Sequence, residues 1–274
     1  MFEGELKNRV EQQSGREFAN RLILLFASGS YLHGARTPNS DLDIAGVYVG
    51  VPEEELAIGD TLVLKKEAKV VLSTSGNQSK NSKEDTDIAL YTLRRWAYLA
   101  LKGNPAVISY LFVPDFLKDS HVMNPSVWDT HILPNRSLFL ASGHAASFLG
   151  LGDSQYKRML GLQGAGKHGQ RDELIAEHGM DTKAAMHMIR SMDECLELLQ
   201  TGYMTFPRPN AATLLEIRRG EWGLERVKAE YNRLRAAVQE AEKTSPLPPQ
   251  CDRETINKLV VEAILDHWNK EGHL

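Results

Sequence analysis

One segment near the N-terminus restricts the fold more than any other: Ala27-Ser28-Gly29-Ser30, then His33-Gly34, then Ser40-Asp41-Leu42-Asp43-Ile44. A short apolar run, Arg21 to Ala27, leads into it, and a run rich in β-branched residues, Asp41 to Val49, ends it. Both runs read as buried strands. A Gly-Ser pair directly after a strand predicts a tight turn, whose backbone N–H groups and hydroxyl can face an anion such as a phosphate. Asp41 and Asp43 stand two apart on an extended strand, so their side chains leave the same face. Carboxylates placed that way can share hard cations such as Mg²⁺ or Mn²⁺. A third carboxylate from a neighbouring strand would complete a two-metal site, and Asp87 in Thr86-Asp87-Ile88 is the candidate, with Asp85 in reserve.

Each part has a plainer reading. Gly-Ser alone is usually a turn and a helix cap, and Asp-x-Asp alone is often a solvated strand edge. The two in order, each preceded by a strand signal and joined by a third carboxylate, favour a phosphate- and metal-handling site. Gly29 and Ser30 would then hold a triphosphate, the metals would polarise the α-phosphate and activate the attacking hydroxyl, and pyrophosphate would leave.

The rest of the chain sorts into two parts. Phe2 to Arg16 has helical periodicity, Thr61 to Leu72 and Thr86 to Leu93 read as strands, and the polar stretch between them reads as a hairpin loop. Leu93 to Gly103 reads as a helix stopped by Gly103-Asn104-Pro105. After about residue 120 strand signals fade. Leu138 to Leu151, Lys183 to Gln200, Ala211 to Ile217, Leu224 to Lys243 and Arg253 to Trp268 read as helices, and Gly150 to His178 as a mobile glycine-rich loop. The expectation is an α/β (α+β) fold: residues 1–120 a catalytic head with a mixed β-sheet flanked by helices, residues 121–274 an all-α domain closing the cleft.

The motif resembles that of the DNA polymerase β-like nucleotidyltransferase superfamily, whose signature is Gly-Ser, a short helix, Asp-x-Asp and a later Asp. The resemblance extends through Thr37-Pro38, Gly46-Val47, Leu93-Arg94-Arg95-Trp96, Gly179-Met180-Asp181-Thr182-Lys183 to Arg190, Phe206-Pro207 and Leu215 to Glu221. In those stretches the chain looks like the branch associated with RNA ligases and RNA repair. The resemblance implies catalytic and metal-holding roles for Asp41, Asp43 and Asp87, an NTP substrate with Mg²⁺ or Mn²⁺, and an RNA or tRNA end as acceptor. A small molecule or a protein side chain is the alternative acceptor, and an inactive nucleotide- or RNA-binding module the alternative class. The three carboxylates weigh against the last.

Lys183, His187 and Arg190 fall at i, i+4 and i+7, one basic stripe on a helix, beside an apolar stripe of Ala184, Met188, Cys195 and Leu199. A solvated face is the plain reading. The family resemblance favours nucleotide or acceptor phosphate, with this helix turned towards the Asp41–Asp43 strand. Gly161 to His168 has P-loop spacing, but His168 stands where a Ser or Thr would reach Mg²⁺, so it reads as a loop. His33 follows the Gly-Ser turn, within reach of nucleotide or acceptor, but a residue there more often packs or caps. The 9 His show no zinc spacing, and the 2 Cys form no CxxC pair. A net charge of −4 argues against coating nucleic acid and leans towards a locally held or small acceptor. The polar start and short apolar runs fit a reduced, cytoplasmic protein without a membrane span.

Overall fold

The computed structural model describes residues 2–38, 40–56, 69–73, 86–122, 125–162 and 172–273, with the backbone alone for 69–73. Two helices open the chain, α1 (Glu5–Ser14) and α2 (Arg16–Asn20). The periodicity predicts a single helix here, but Gly15 takes φ 87° and ψ 157°, a positive-φ extended conformation that glycine adopts without Cβ strain, and breaks it in two. The start of α1 is capped from far along the chain. Buried Asp119 accepts from the Gly4 N–H at 3.1 Å and the Lys7 N–H at 2.9 Å.

Strand β1 (Leu22–Ala27) is buried throughout, as its apolar sequence requires. It runs through Ser28 into the one-turn helix α3 (Gly29–His33), and the chain returns as β2 (Leu42–Tyr48). Strands β3 (Lys69–Ser73) and β4 (Thr86–Thr92) complete a four-stranded sheet in the order β1-β2-β4-β3. β1 and β2 are antiparallel, β2 and β4 parallel, and β3 and β4 antiparallel, so the sheet is mixed. The expected hairpin between the last two is present, while residues 61–68 and 74–85 lie outside the described residues.

The chain forms two compact units. The first joins Met1–Leu101, Ser109–Phe139 and Asp252–Leu274, and the second joins Lys102–Ile108 and Leu140–Cys251. The sequence reading breaks the chain once, at residue 120; the units instead exchange segments. In the first, helix Leu93–Leu101 buries Trp96, whose ring meets Trp128 at 4.7 Å and Phe139 at 5.0 Å. Helix Arg253–Glu271 packs in the same unit, and the Trp268 indole N–H donates to the Gly50 carbonyl at 2.8 Å. A large apolar ring that also satisfies a strand-end carbonyl anchors the helix to the sheet.

The second unit is helical. Helix Thr182–Thr201 is its centre, packed against Ala145–Met159, Ala211–Arg218 and Leu224–Thr244. Its N-cap is buried Asp181, which accepts from the Ala184 N–H at 3.0 Å. The sequence reading of 150–178 as a loop is corrected here. Residues up to Met159 are helical, Asp172–His178 is a further helix, and 163–171 lie outside the described residues. Gly152 misleads because it serves packing rather than turning. A Cβ there would stand 2.8 Å from Met192 Cε and 3.3 Å from the Tyr231 ring. The helix expected at Leu138 starts instead at Ala145, after two 3-10 turns over Leu133–Phe139 and Ser142–His144. Among the described residues no helix is long and apolar enough to cross a membrane.

Candidate active site

The β1–α3–β2 passage brings the first two parts of the motif together. Ser28 leaves β1 in an extended conformation, and its N–H donates to the Asp43 carbonyl at 2.8 Å, which ties the turn to the start of β2. Gly29 then takes φ 56° and begins α3. The helix lasts one turn and ends at Gly34, φ 72°, again a left-handed cap. The loop that follows is pinned to itself. The Thr37 N–H donates to Ser40 Oγ at 2.9 Å, the two hydroxyls meet at 3.1 Å, and the Ser40 N–H donates back to the Thr37 carbonyl at 3.0 Å. Arg36 lies over the Tyr31 ring at 4.5 Å. The sequence reading quotes Thr37 and Ser40 but gives them no task; the Thr-x-x-Ser spacing is a turn signal, and the turn it closes delivers Asp41 to the sheet.

Asp43 and Asp87 are register partners across the parallel β2–β4 ladder. Paired strands lie about 4.8 Å apart and opposite residues point to one side, so the two carboxylates stand beside each other on one face. Asp43 is half-buried and Asp87 exposed. Asp41 lies one residue ahead of β2, half-buried, and strand alternation assigns it the same face. On the opposite side of β4, Thr86 is buried and its hydroxyl accepts from Arg9 at 2.7 Å. Asp85 lies outside the described residues.

Ser30 Oγ is shut off from solvent, and among the described residues it has no hydrogen-bond partner. An unpaired buried hydroxyl costs about 1–3 kcal/mol, a cost that a ligand oxygen would relieve. Among the described residues no group of three or more His, Cys, Asp or Glu side chains forms a ready metal cage. The donor chemistry nevertheless fits Mg²⁺ or Mn²⁺, because such ions are commonly held by one or two carboxylates and completed by substrate phosphate oxygens. His33 is buried, in keeping with the packing reading.

The basic stripe belongs to the second unit. Lys183 and His187 are half-buried. Arg190 is committed within the fold. Its Nε lies 3.5 Å from Glu194 Oε1, and burial pulls its guanidinium below the ordinary range while Glu194 opposes the shift. The expected apolar stripe is present, with Ala184, Met188, Cys195 and Leu199 all buried.

A polymerase-like motif carried on a mixed sheet defines a class, and comparison with known proteins agrees: the chain is a nucleotidyltransferase of the DNA polymerase β type. Within that class it belongs to the RlaP family, the RNA repair pathway DNA polymerase beta family, whose profile matches residues 3–262. The resemblance read from the motifs thus holds at the level of the family. An uncharacterized 38.9 kDa protein of the nrdC-mobD intergenic region of Enterobacteria phage T4 is 32% identical over 146 residues, 53% of this chain and 40% of that protein. The aligned part therefore spans less than half of that relative's length. Among solved structures, spectinomycin adenyltransferase AAD(9) from Enterococcus faecialis, with ATP and spectinomycin, is similar at a TM-score of 0.36 and 13% identity, over 97% of this chain and 99% of that one.

Proposed function

We propose that the chain transfers a nucleoside monophosphate from an NTP to the terminal hydroxyl of an RNA, a tRNA among the candidates, with release of pyrophosphate. The observation that carries the reading is the register of Asp43 beside Asp87, with the Gly29-Ser30 turn folded against Asp43. The family's description as an RNA repair pathway supports the acceptor.

Asp41, Asp43 and Asp87 are the residues that would hold Mg²⁺ or Mn²⁺, which when bound polarises the α-phosphate and acidifies the attacking hydroxyl. The chain's own groups do the rest. The Ser30 hydroxyl donates to a triphosphate oxygen, and the Gly29 backbone lies against the same group. An Asp87 carboxylate oxygen takes the proton released by the acceptor hydroxyl as its oxygen bonds to the α-phosphorus and the bond to pyrophosphate breaks. Lys183, His187 and Arg190 are assigned to nucleotide or acceptor phosphate as hydrogen-bond donors, Arg190 by exchanging its contact with Glu194 for the phosphate. Neutralising Lys183 then weakens binding at low salt and less so at high salt.

The test is a transfer assay with each α-labelled NTP, offering bulk RNA, tRNA, small hydroxyl compounds and the protein itself, with and without EDTA. Label on an RNA end that disappears in EDTA and in Asp43→Asn supports the proposal. Label confined to a small molecule or to the protein moves the acceptor, and label indifferent to EDTA removes the metal.

A further inference from the structure

We propose that Gly29 is a positioning residue for the Asp43 carboxylate: the missing side chain at position 29 is what allows Asp43 to stand where it does. The inference rests on the function proposed above and adds a specific source of order to that site.

A Cβ built on Gly29 would stand 2.9 Å from Asp43 Cγ and 3.2 Å from Asp43 Cβ, and closer still to Oδ2. Ordinary contact between such atoms begins near 3.5 Å. A glycine after a strand is commonly read as room for an incoming phosphate, but here the space is already used by the protein's own carboxylate. The neighbouring restraints fix the Asp43 backbone, so relief of the contact has to come from the carboxylate itself or from the turn. Asp43 is held from behind by the Ser28 N–H on its carbonyl, its backbone is locked between β1 and β4, and Asp87 occupies the next position along the ladder. A methyl group at 29 would push Asp43 off its place beside Asp87 or force the turn away from the sheet. In either case the two carboxylates would no longer converge on one cation. Gly29 also has φ 56°, so any L-residue there is strained as well as crowded, and a control must separate the two effects. Gly15 supplies it, with φ 87° in the same unit and nothing within 4 Å of a built Cβ.

The experiment compares wild type, Gly29→Ala, Gly15→Ala and Asp43→Asn by Mn²⁺ binding, read by electron paramagnetic resonance with the metal alone, and by thermal melting. Gly15→Ala is expected to melt lower and bind Mn²⁺ as wild type does. Gly29→Ala is expected to weaken Mn²⁺ binding about 10- to 100-fold, the loss typical when a group that orients a metal ligand is disturbed. Folded Gly29→Ala with wild-type Mn²⁺ affinity overturns the positioning role, while Asp43→Asn with wild-type affinity overturns the metal reading beneath it. If Gly29→Ala is too unstable to assay, the melt decides. Replacing Asp43 by Ala should shrink the Gly29→Ala loss in Tm, and an unchanged loss would show that backbone strain alone is at work.

Discussion

Removing the Ser30 hydroxyl should make the protein more stable and a poorer enzyme, and the two effects have separable magnitudes. In the nucleotide-free chain the hydroxyl is buried and, among the described residues, has no hydrogen-bond partner. Ser30→Ala removes an unsatisfied group worth about 1–3 kcal/mol and places a better helix former in α3. At about 2–4 °C per kcal/mol for a chain of this size, the apo melting temperature should rise by several degrees. The same change deletes one hydrogen bond to a charged triphosphate, about 1.5–3 kcal/mol, and so weakens NTP binding by about 10- to 150-fold. Thermal melts with increasing non-hydrolysable NTP and Mg²⁺ read both effects. Nucleotide stabilises wild type by RT ln(1 + [L]/Kd), so the wild-type curve starts below that of the variant and overtakes it as nucleotide is added. A variant that melts lower without nucleotide would show that the hydroxyl has a structural partner. Equal nucleotide-induced shifts would show that it does not touch the triphosphate. Either result refutes the assignment.

Asp41→Asn and Asp43→Asn should each lower transfer by orders of magnitude without unfolding the head, because each removes a charge from a crowded face; near-normal turnover of either in Mg²⁺ would exclude it from the metal site. His144 gives a pH dependence. Burial lowers its pKa from 6.5 to about 4, and its Nε2 faces Cys251 Sγ at 3.6 Å, a thiol that burial raises to about 11 and so keeps protonated. Because the folded value lies below the unfolded one, this contribution is full above pH 6.5 and is lost as the pH falls towards 4. The loss is about 3 kcal/mol; denaturant midpoints of wild type and His144→Leu across that window should differ by a slope that the variant lacks. In the helical unit, buried Arg208 binds Asp193 at 2.6 Å and also Glu197. Arg208→Met should cost about 3–5 kcal/mol by leaving the carboxylates without their cation, measurable by urea denaturation.

What the sequence made legible follows the range of each signal. Leu22–Ala27 is recognisable as an uninterrupted apolar run and Leu42–Tyr48 as an apolar stretch with β-branched Ile44 and Val47, both local properties. Asp43 and Asp87 could be proposed as neighbours from the order of the strands, but their register depends on a parallel pairing that no local pattern encodes. Gly152 looks like a helix breaker until Met192 and Tyr231 are seen against it. Arg190 shares the spacing of a surface stripe, and only the fold shows that Glu194 already holds it. The role of Asp119 in capping α1 spans 115 positions, beyond any motif window. Gly29 was legible as a residue and not as a reason, since the atom it makes room for lies 14 positions further on.

The segment exchange between the two units has a consequence for how the protein comes into being. Helix Arg253–Glu271, with Trp268 bonded to the Gly50 carbonyl, belongs to the unit that contains the sheet, yet it is made after every residue of the helical unit. Emerging from the ribosome, the chain exposes the strands first, then the whole of Leu140–Cys251, and only then the helix that covers part of the sheet unit's apolar surface. The helical unit has its main segment complete while the head still lacks this helix, and for that interval an aggregation-prone apolar surface stands uncovered. A nascent chain stalled at Cys251 would carry Asp41, Asp43 and Asp87 without that cover.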